Sequence, residues 1–176
     1  MSFQLDPFQQ TAVTSLLRGL NVLVTAPTGS GKTLIAEKGV EKYINDGLKV
    51  IYTTPIKALS NQKYHDFKHL GFDTGLLTGD RNENPNGNLI IATTEILRNM
   101  IFSDDIRIRD IGLVVLDEVH YLADKERGAT WEEILIHLPK EIKILALSAT
   151  IGNENEFLNW IVSLRGPTEL IKSKIR

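Results

Sequence analysis

One stretch constrains the fold of this chain more than any other, the loop APTGSGKT from Ala26 to Thr33. The apolar, β-branched segment NVLVT precedes it and predicts a short buried strand, while LIAEK follows it and predicts the start of a helix. Strand, glycine-rich loop and helix are the context that a phosphate-binding loop requires. The general pattern begins with glycine and this chain has Ala26, yet the flanking elements favour a nucleotide site over a glycine-rich surface loop with a solvated lysine.

The residues of this loop predict the contacts of a bound nucleotide. Gly29 and Gly31 allow backbone conformations that a Cβ would block, so that successive N–H groups can point at an anion. The helix that follows adds the positive end of its dipole. Lys32 is expected to reach the β- and γ-phosphates, and the Thr33 hydroxyl is expected to hold Mg²⁺.

Composition limits what else the chain can be. Its 176 residues, 42% hydrophobic and 24% charged, are typical of one soluble globular domain with a full core. We expect neither membrane insertion nor export, since no apolar run is long enough to span a membrane and no basic leader is present. The absence of cysteine is compatible with a cytoplasmic protein, and the formal net charge of -2 argues against a strongly basic nucleic-acid binder.

Several further strands are predicted to end in small or hydroxylated residues at the start of a helix. The segment 48–53 leads into Thr54, the expected cap of a helix beginning at Pro55, and the segment 89–92 leads into Thr93. Ligands gather at the carboxyl edge of an open parallel sheet. Helix N-termini with Ser or Thr caps bind phosphates without net positive charge, so an α/β fold of this kind reconciles an acidic chain with nucleic-acid binding.

The N-terminal segment FQLDPFQ supports two interpretations. Asp6 is a good N-cap, Pro7 suits the first helical position, and Gln9 falls where it completes a capping box. The alternative is an adenine clamp, in which the Phe3 ring stacks on the base and the Gln9 amide contacts its edge. The residues alone favour the capping interpretation.

The most hydrophobic predicted strand, 111–116, ends in Asp117 and Glu118. Asp117 is expected to bind Mg²⁺ through water, and Glu118 is expected to position and activate an attacking water. Two adjacent acids also suit a helix N-terminus. The buried strand before them and the phosphate loop's need for a magnesium partner favour the catalytic interpretation.

With these motifs placed, the sequence resembles the first RecA-like domain of superfamily 2 DExH-box helicases. The resemblance rests on APTGSGKT, DEVH and SAT in that order, and it covers nearly the whole chain. The segments FQLDPFQ, TTPIKALSNQKY, LLTGD, ATTEILRNM and RGATWEEILIHLP are similar to the superkiller-type branch, which includes exosome-associated RNA helicases. The resemblance implies a RecA-like P-loop NTPase fold over residues 1–176, a three-layer αβα arrangement with a mostly parallel central sheet.

The resemblance also assigns roles to individual residues, and it reverses the preference at Phe3 and Gln9 in favour of adenine recognition. It implies that ATP is bound by Phe3, Gln9, Thr28, Gly29, Ser30, Gly31, Lys32 and Thr33. It implies that catalysis and its coupling to movement depend on Lys32, Asp117, Glu118, His120, Ser148 and Thr150. It implies that Mg²⁺ is bound by Thr33 and Asp117. For the nucleic-acid backbone it implies Pro55, Lys57, Asn61, Thr78, Gly79, Thr93 and Thr94.

The implied activity is ATP hydrolysis coupled to movement along single-stranded nucleic acid, RNA rather than DNA. Such helicases also need a second RecA-like domain, which supplies arginine fingers and half of the strand-binding groove. No segment of this chain supplies that domain, so we expect an excised first domain that hydrolyses ATP very slowly alone. Two alternatives stay open: a non-catalytic module that binds ATP and nucleic acid, and a DNA helicase or duplex DNA translocase.

Overall fold

The structure, a computed structural model, describes residues 4–119, 125–150 and 152–173, apart from the side chains of 125–128. Its strands are β1 (Asn21–Thr25), β2 (Lys49–Thr54), β3 (Thr74–Leu77), β4 (Asn82–Glu83), β5 (Leu89–Thr93), β6 (Ile111–Leu116), β7 (Lys143–Ser148) and β8 (Thr168–Lys172). Its α-helices are α1 (Pro7–Leu17), α2 (Lys32–Asn45), α3 (Lys57–His69), α4 (Thr94–Phe102), α5 (Lys125–His137) and α6 (Glu154–Arg165), with a 3₁₀-helix at Ile106–Asp110.

The strands form one sheet in the order β4-β3-β5-β2-β6-β7-β1-β8. Every pairing is parallel except that of β3 with β4, which is antiparallel. The strand β4 has only two residues, too few to show a periodicity in the sequence. The predicted α/β class with a mostly parallel sheet is confirmed.

Helices cover both faces of the sheet, because its strands are apolar on both sides. All residues of β1, β5 and β6 are buried, as expected for a parallel sheet between two helix layers. In β2, Val50 and Tyr52 pack in one hydrophobic cluster with α1, α2 and α3. Ile51 points the other way, into a cluster with α4, α5 and α6. The three-layer αβα arrangement is therefore confirmed.

The start of α3 differs from the prediction. Thr54 is the last residue of β2 rather than a helix cap, since it pairs with Thr93 of the neighbouring strand. Its hydroxyl donates to the Ile56 carbonyl at 2.9 Å and lies 2.7 Å from the Ser60 hydroxyl. Helix α3 begins two residues after Pro55, at Lys57, because the sheet ladder extends one residue further than the pattern predicts.

Within the described residues, no helix combines the length and the apolar character that crossing a membrane requires.

Candidate nucleotide and nucleic-acid site

The predicted site residues that the structure describes lie in segments at the carboxyl edge of the sheet. Strands β1 and β7 are neighbours, with Thr25 opposite Ser148. Beyond the last paired residues, the Ala26 amide donates to the Ser148 carbonyl at 3.1 Å. This bond joins the phosphate-loop segment directly to the SAT segment.

The phosphate loop has the backbone that its glycines allow. Gly29 and Gly31 have φ values of 82° and 93°, a region that favours glycine, and Gly31 is the N-cap of α2. The Lys32 ammonium folds back over the loop and donates to the carbonyls of Ala26 at 2.6 Å and Pro27 at 3.3 Å. A phosphate binding at the loop therefore exchanges neutral carbonyl partners of this ammonium for anionic ones.

Gln9 connects the N-terminal helix to this loop and also acts as a cap. Its Oε1 accepts a hydrogen bond from the Asp6 amide at 2.8 Å, and its Nε2 donates to the Gly31 carbonyl at 3.0 Å. A Cβ on Gly31 would lie 2.4 Å from Gln9 Nε2, so only glycine permits this approach. Adenine recognition by Gln9 stays a prediction, and its predicted partner Phe3 lies outside the described residues.

Two other loop residues differ in exposure. Thr28 is exposed to solvent. The Ser30 hydroxyl is buried and has no hydrogen-bond partner among the described residues. A buried polar group without a partner is unusual, and this one lies within the predicted phosphate cradle.

The two acids follow β6 and adopt an unusual local backbone. Asp117 is buried, and its amide donates to the Thr53 carbonyl at 2.9 Å. Its Oδ1 accepts a hydrogen bond from the Glu118 amide at 2.8 Å. Glu118 has a φ of 58°, in the left-handed region that non-glycine residues rarely occupy. Strain of this kind is concentrated at functional sites.

Burial and the neighbouring carboxylates have opposite effects on the pKa of Lys32. Burial lowers the pKa of the Lys32 ammonium, while Glu118 and, less strongly, Asp117 act to raise it. Both carboxylates are therefore within electrostatic reach of the phosphate-loop lysine.

Tyr52 is a part of this site that the sequence analysis missed. It is fully buried in the middle of β2, and its hydroxyl donates to Asp117 Oδ2. Burial and the Asp117 charge raise the Tyr52 pKa well above its ordinary value, so the hydroxyl stays a donor. The available signal was a tyrosine inside an otherwise apolar strand, because a buried tyrosine hydroxyl usually has a partner.

Lys63 is the second residue that the analysis missed. Its ammonium donates to Thr33 Oγ1 at 3.1 Å, which joins α3 to the start of α2. It lies 5.9 Å from the centre of the Tyr52 ring. Lys63 belongs to the segment TTPIKALSNQKY, and nothing in the local pattern pairs it with Thr33.

The predicted magnesium residues offer oxygen atoms only. The Thr33 hydroxyl and the Asp117 carboxylate are both hard ligands of the kind that Mg²⁺ prefers. The Tyr52 hydroxyl donates to Asp117 Oδ2, and hydrogen bonds of this kind orient carboxylates that bind metals. The donor chemistry of these residues therefore fits Mg²⁺.

The SAT segment lies at the end of β7. Ser148 is fully buried, and its hydroxyl donates to the Ala149 carbonyl at 2.7 Å. Thr150 is exposed. The remaining predicted coupling residue, His120, lies outside the described residues.

The predicted nucleic-acid residues cluster along the ends of β2, β3 and β5. The Lys57 ammonium lies 3.6 Å from the Asp80 carboxylate, which also accepts a hydrogen bond from the Thr78 hydroxyl at 2.9 Å. A Cβ added to Gly79 would lie 3.6 Å from the Lys57 ammonium, so the two residues are close together. The start of α3 and the loop after β3 therefore form one surface.

The same surface continues onto the start of α4. Thr93 is the N-cap of α4, and its hydroxyl accepts from the Ile96 amide at 3.4 Å. The Thr94 hydroxyl donates to the Thr54 carbonyl at 3.2 Å. Pro55 is half-buried beside them. Asn61, one turn into α3, accepts a hydrogen bond from an Arg81 side chain that no sequence motif singled out.

Three comparisons with known proteins agree with this architecture. A family model described as DEAD/DEAH box helicase matches residues 6–157. The chain is 47% identical over 182 residues to the DExH-box ATP-dependent RNA helicase DExH15, chloroplastic, of Arabidopsis thaliana, covering 99% of the chain and 16% of that protein. It is 50% identical over 161 residues to the antiviral helicase SKI2 of Saccharomyces cerevisiae, covering 90% of the chain and 12% of that protein.

The likeness extends to solved structures. The DUF1998 helicase MrfA, crystallised with DNA, superposes with a TM-score of 0.82 at 19% identity, over 97% of this chain and 26% of that one. At that identity the likeness concerns the fold alone.

Proposed function

Because the chain belongs to the DEAD/DEAH box helicase family, we propose that it is the first RecA-like, ATP-binding domain of an ATP-dependent helicase. The observation that carries the proposal is the meeting of the phosphate loop and the acid pair at one sheet edge. Strand β7 lies between β1 and β6, so the phosphate loop after β1 and the acids after β6 lie on either side of the SAT segment, and the Ala26 amide bonds to that segment. These contacts combine a phosphate cradle with a water-positioning acid.

The residues divide the work of hydrolysis. The Lys32 ammonium leaves the loop carbonyls and binds the β- and γ-phosphates, while Glu118 orients the attacking water and accepts its proton. The Thr33 hydroxyl would hold Mg²⁺ directly and the Asp117 carboxylate would hold it through water, and the ion would neutralise charge on the phosphate oxygens. The Tyr52 hydroxyl keeps the Asp117 carboxylate in orientation.

The proposed substrate is single-stranded RNA. The Arabidopsis relative is named as an ATP-dependent RNA helicase and is 47% identical, whereas the DNA-bound MrfA is only 19% identical. The residues on the nucleic-acid side are helix caps and side chains near helix starts, which suit phosphates rather than base edges. The chain has no cysteine, which suits the reducing cytoplasm, where we place the protein.

A second RecA-like domain is the proposed partner within the full-length protein. Three arginines have partners away from the phosphate loop: Arg81 with Glu83, Arg98 with Glu133, and Arg107 with Asp105. These pairings favour a second candidate function for the chain alone, a module that binds ATP and nucleic acid with little turnover. On this proposal the second domain supplies the arginine that stabilises the developing charge.

Nucleotide binding tests the proposal directly. Calorimetric titration with ADP and with GDP, each with Mg²⁺, should give tighter binding of ADP, because the Gln9 amide beside the loop is proposed to leave its backbone partners and contact the edge of adenine. Lys32→Ala should weaken ADP binding about tenfold or more, since the phosphates lose a charged hydrogen-bond donor. The matched control is Lys42→Ala, which removes a lysine of the same helix that pairs with Asp46. Equal affinities for ADP and GDP would contradict adenine recognition, and equal effects of the two substitutions would contradict the nucleotide site.

A further inference from the structure

Helix α3 places a positive charge beside the predicted magnesium residues. The Lys63 ammonium donates to Thr33 Oγ1 at 3.1 Å. The same ammonium faces the ring of Tyr52, and the Tyr52 hydroxyl donates to Asp117. Lys63 therefore contacts one predicted magnesium ligand and adjoins the residue that holds the other.

A magnesium ion and this ammonium do not share the Thr33 hydroxyl well. Mg²⁺ binds its oxygen ligands at about 2.0–2.1 Å and demands octahedral geometry. An ammonium 3.1 Å from the same oxygen would lie within a few ångströms of the ion. Two cations at such a separation repel strongly when partly shielded from water. Loading of the site with Mg²⁺ therefore requires Lys63 to move away.

The structure also offers Lys63 a second partner. Glu37 lies four residues after Thr33 on α2, one helical turn further along the same face. Burial raises the pKa of the Glu37 carboxyl, and the positive charge of Lys63 acts against that rise. Glu37 is thus within electrostatic reach of Lys63, and its carboxylate can pair with the Lys63 ammonium when Thr33 binds a metal.

We propose that Lys63 competes with Mg²⁺ for the Thr33 hydroxyl and thereby couples α3 to loading of the nucleotide site. The inference rests on the proposed function, because it takes Thr33 as a magnesium ligand. Helix α3 also carries Lys57 and Asn61, two of the predicted nucleic-acid contacts. A shift of α3 on strand binding would move Lys63 relative to Thr33, so the helix connects the two sites. Lys63 is a positioning residue, since it acts through the Thr33 hydroxyl.

The test measures how strongly Mg²⁺ improves nucleotide binding. The dissociation constant of fluorescently labelled ADP is determined with EDTA and with saturating Mg²⁺. The constant in EDTA divided by the constant in Mg²⁺ measures how much the ion tightens binding, and this ratio is compared between variants. Loss of a general phosphate attraction alters both constants and cancels in the ratio. In Lys63→Met the ratio should rise about five- to tenfold, as expected when one competing hydrogen bond is removed.

Two variants control the measurement. Lys68→Met removes the same charge from the same helix, but the Lys68 ammonium lies 3.4 Å from the Tyr64 hydroxyl and makes no bond to Thr33, so its ratio should match the wild type. Lys63→Gln keeps a neutral donor and should raise the ratio by less than Lys63→Met. A stronger magnesium effect is not what damage to the fold would produce.

The outcomes separate this inference from the proposed function. An unchanged or smaller ratio in Lys63→Met would overturn the inference, and so would an equal rise in Lys68→Met. In either case, ADP binding that still depends on Lys32 would leave the proposed nucleotide site standing. ADP binding that is indifferent to Lys32→Ala would overturn the nucleotide site itself.

Discussion

The proposed nucleotide side and the proposed nucleic-acid side of this sheet edge are built differently. On the nucleotide side, Tyr52 and Ser148 are both 0% exposed, and their hydroxyl groups are bonded within the protein. On the proposed nucleic-acid side, the side chains of Lys57 and Asp80 are 57% and 69% exposed and form an ion pair, in which Asp80 also accepts a hydrogen bond from Thr78. Exposed ion pairs contribute little stability, whereas buried hydrogen-bond networks fix geometry.

The difference indicates two modes of ligand binding. A transferring phosphoryl group needs catalytic groups that are already in position, because reorganisation during the reaction raises the barrier. A sliding strand needs contacts that form and break repeatedly, and the exposed Lys57–Asp80 pair can exchange its carboxylate for a phosphate at little cost. Three predictions follow the contrast from its largest expected effect to its smallest.

ATP turnover should show the largest effect. The purified chain should release phosphate very slowly from ATP, with or without single-stranded RNA, because Arg81, Arg98 and Arg107 pair with acids away from the phosphate loop and the arginine for the developing charge is proposed to come from a second domain. Such an arginine is typically worth about 10³–10⁵ in rate. Addition of the proposed second RecA-like domain should therefore give RNA-stimulated turnover, and Glu118→Gln should abolish it again.

Steady-state phosphate release measures this directly. Glu133→Gln is the control, because that acid pairs with Arg98 away from the phosphate loop. Turnover of about one per second by the chain alone, lost in Glu118→Gln, would show that the nucleotide side is complete without a second domain.

Nucleic-acid binding should show a moderate effect. Fluorescence anisotropy at low salt should give weak binding that differs by no more than about threefold between single-stranded RNA sequences, since caps and ammonium groups contact phosphates rather than bases. Lys57→Met should reduce the slope of log affinity against log salt by about 1, the loss of one phosphate contact. Lys38→Met removes an exposed lysine of α2 that pairs with Glu41, and it should leave the slope unchanged. Tight, sequence-selective binding would contradict the assignment of this surface to backbone contacts.

The smallest effect concerns protonation of Asp80. The Thr78 hydroxyl and, less strongly, Lys57 lower the pKa of the Asp80 carboxyl below its ordinary value of 3.8. A lowered folded-state pKa means that this carboxylate contributes stability above pH 3.8, which is lost as the pH falls through the lowered value. A carbonyl NMR titration should show that Thr78→Val raises the pKa more than Lys57→Met does. The reverse order would show that the ion pair, rather than the hydroxyl, organises the nucleic-acid surface.

The sequence predicted the fold well because each strand is followed by its own local signal. The loop after β1, the acids after β6 and the threonines after β5 can all be identified within a few residues, and the parallel sheet then brings them to one edge. Two contacts escaped prediction because they join distant residues, Tyr52 to Asp117 across 65 positions and Lys63 to Thr33 across 30. The first depends on β2 lying beside β6, an order that local periodicity does not encode.

The two-residue strand β4 covers part of the edge of β3 that would otherwise have unpaired backbone groups. Without it, β3 would present unpaired backbone groups along an open edge, and such an edge invites pairing with another chain. The approach is tight, since a Cβ on Gly75 would lie 2.2 Å from the Asn84 carbonyl oxygen. Asn84 itself has a φ of 45°, which turns the backbone away after two paired residues. This antiparallel cover pairs Leu76 and Leu77 of β3 and makes the edge strand on this side only two residues long, and short edge strands offer little backbone for another chain to pair with.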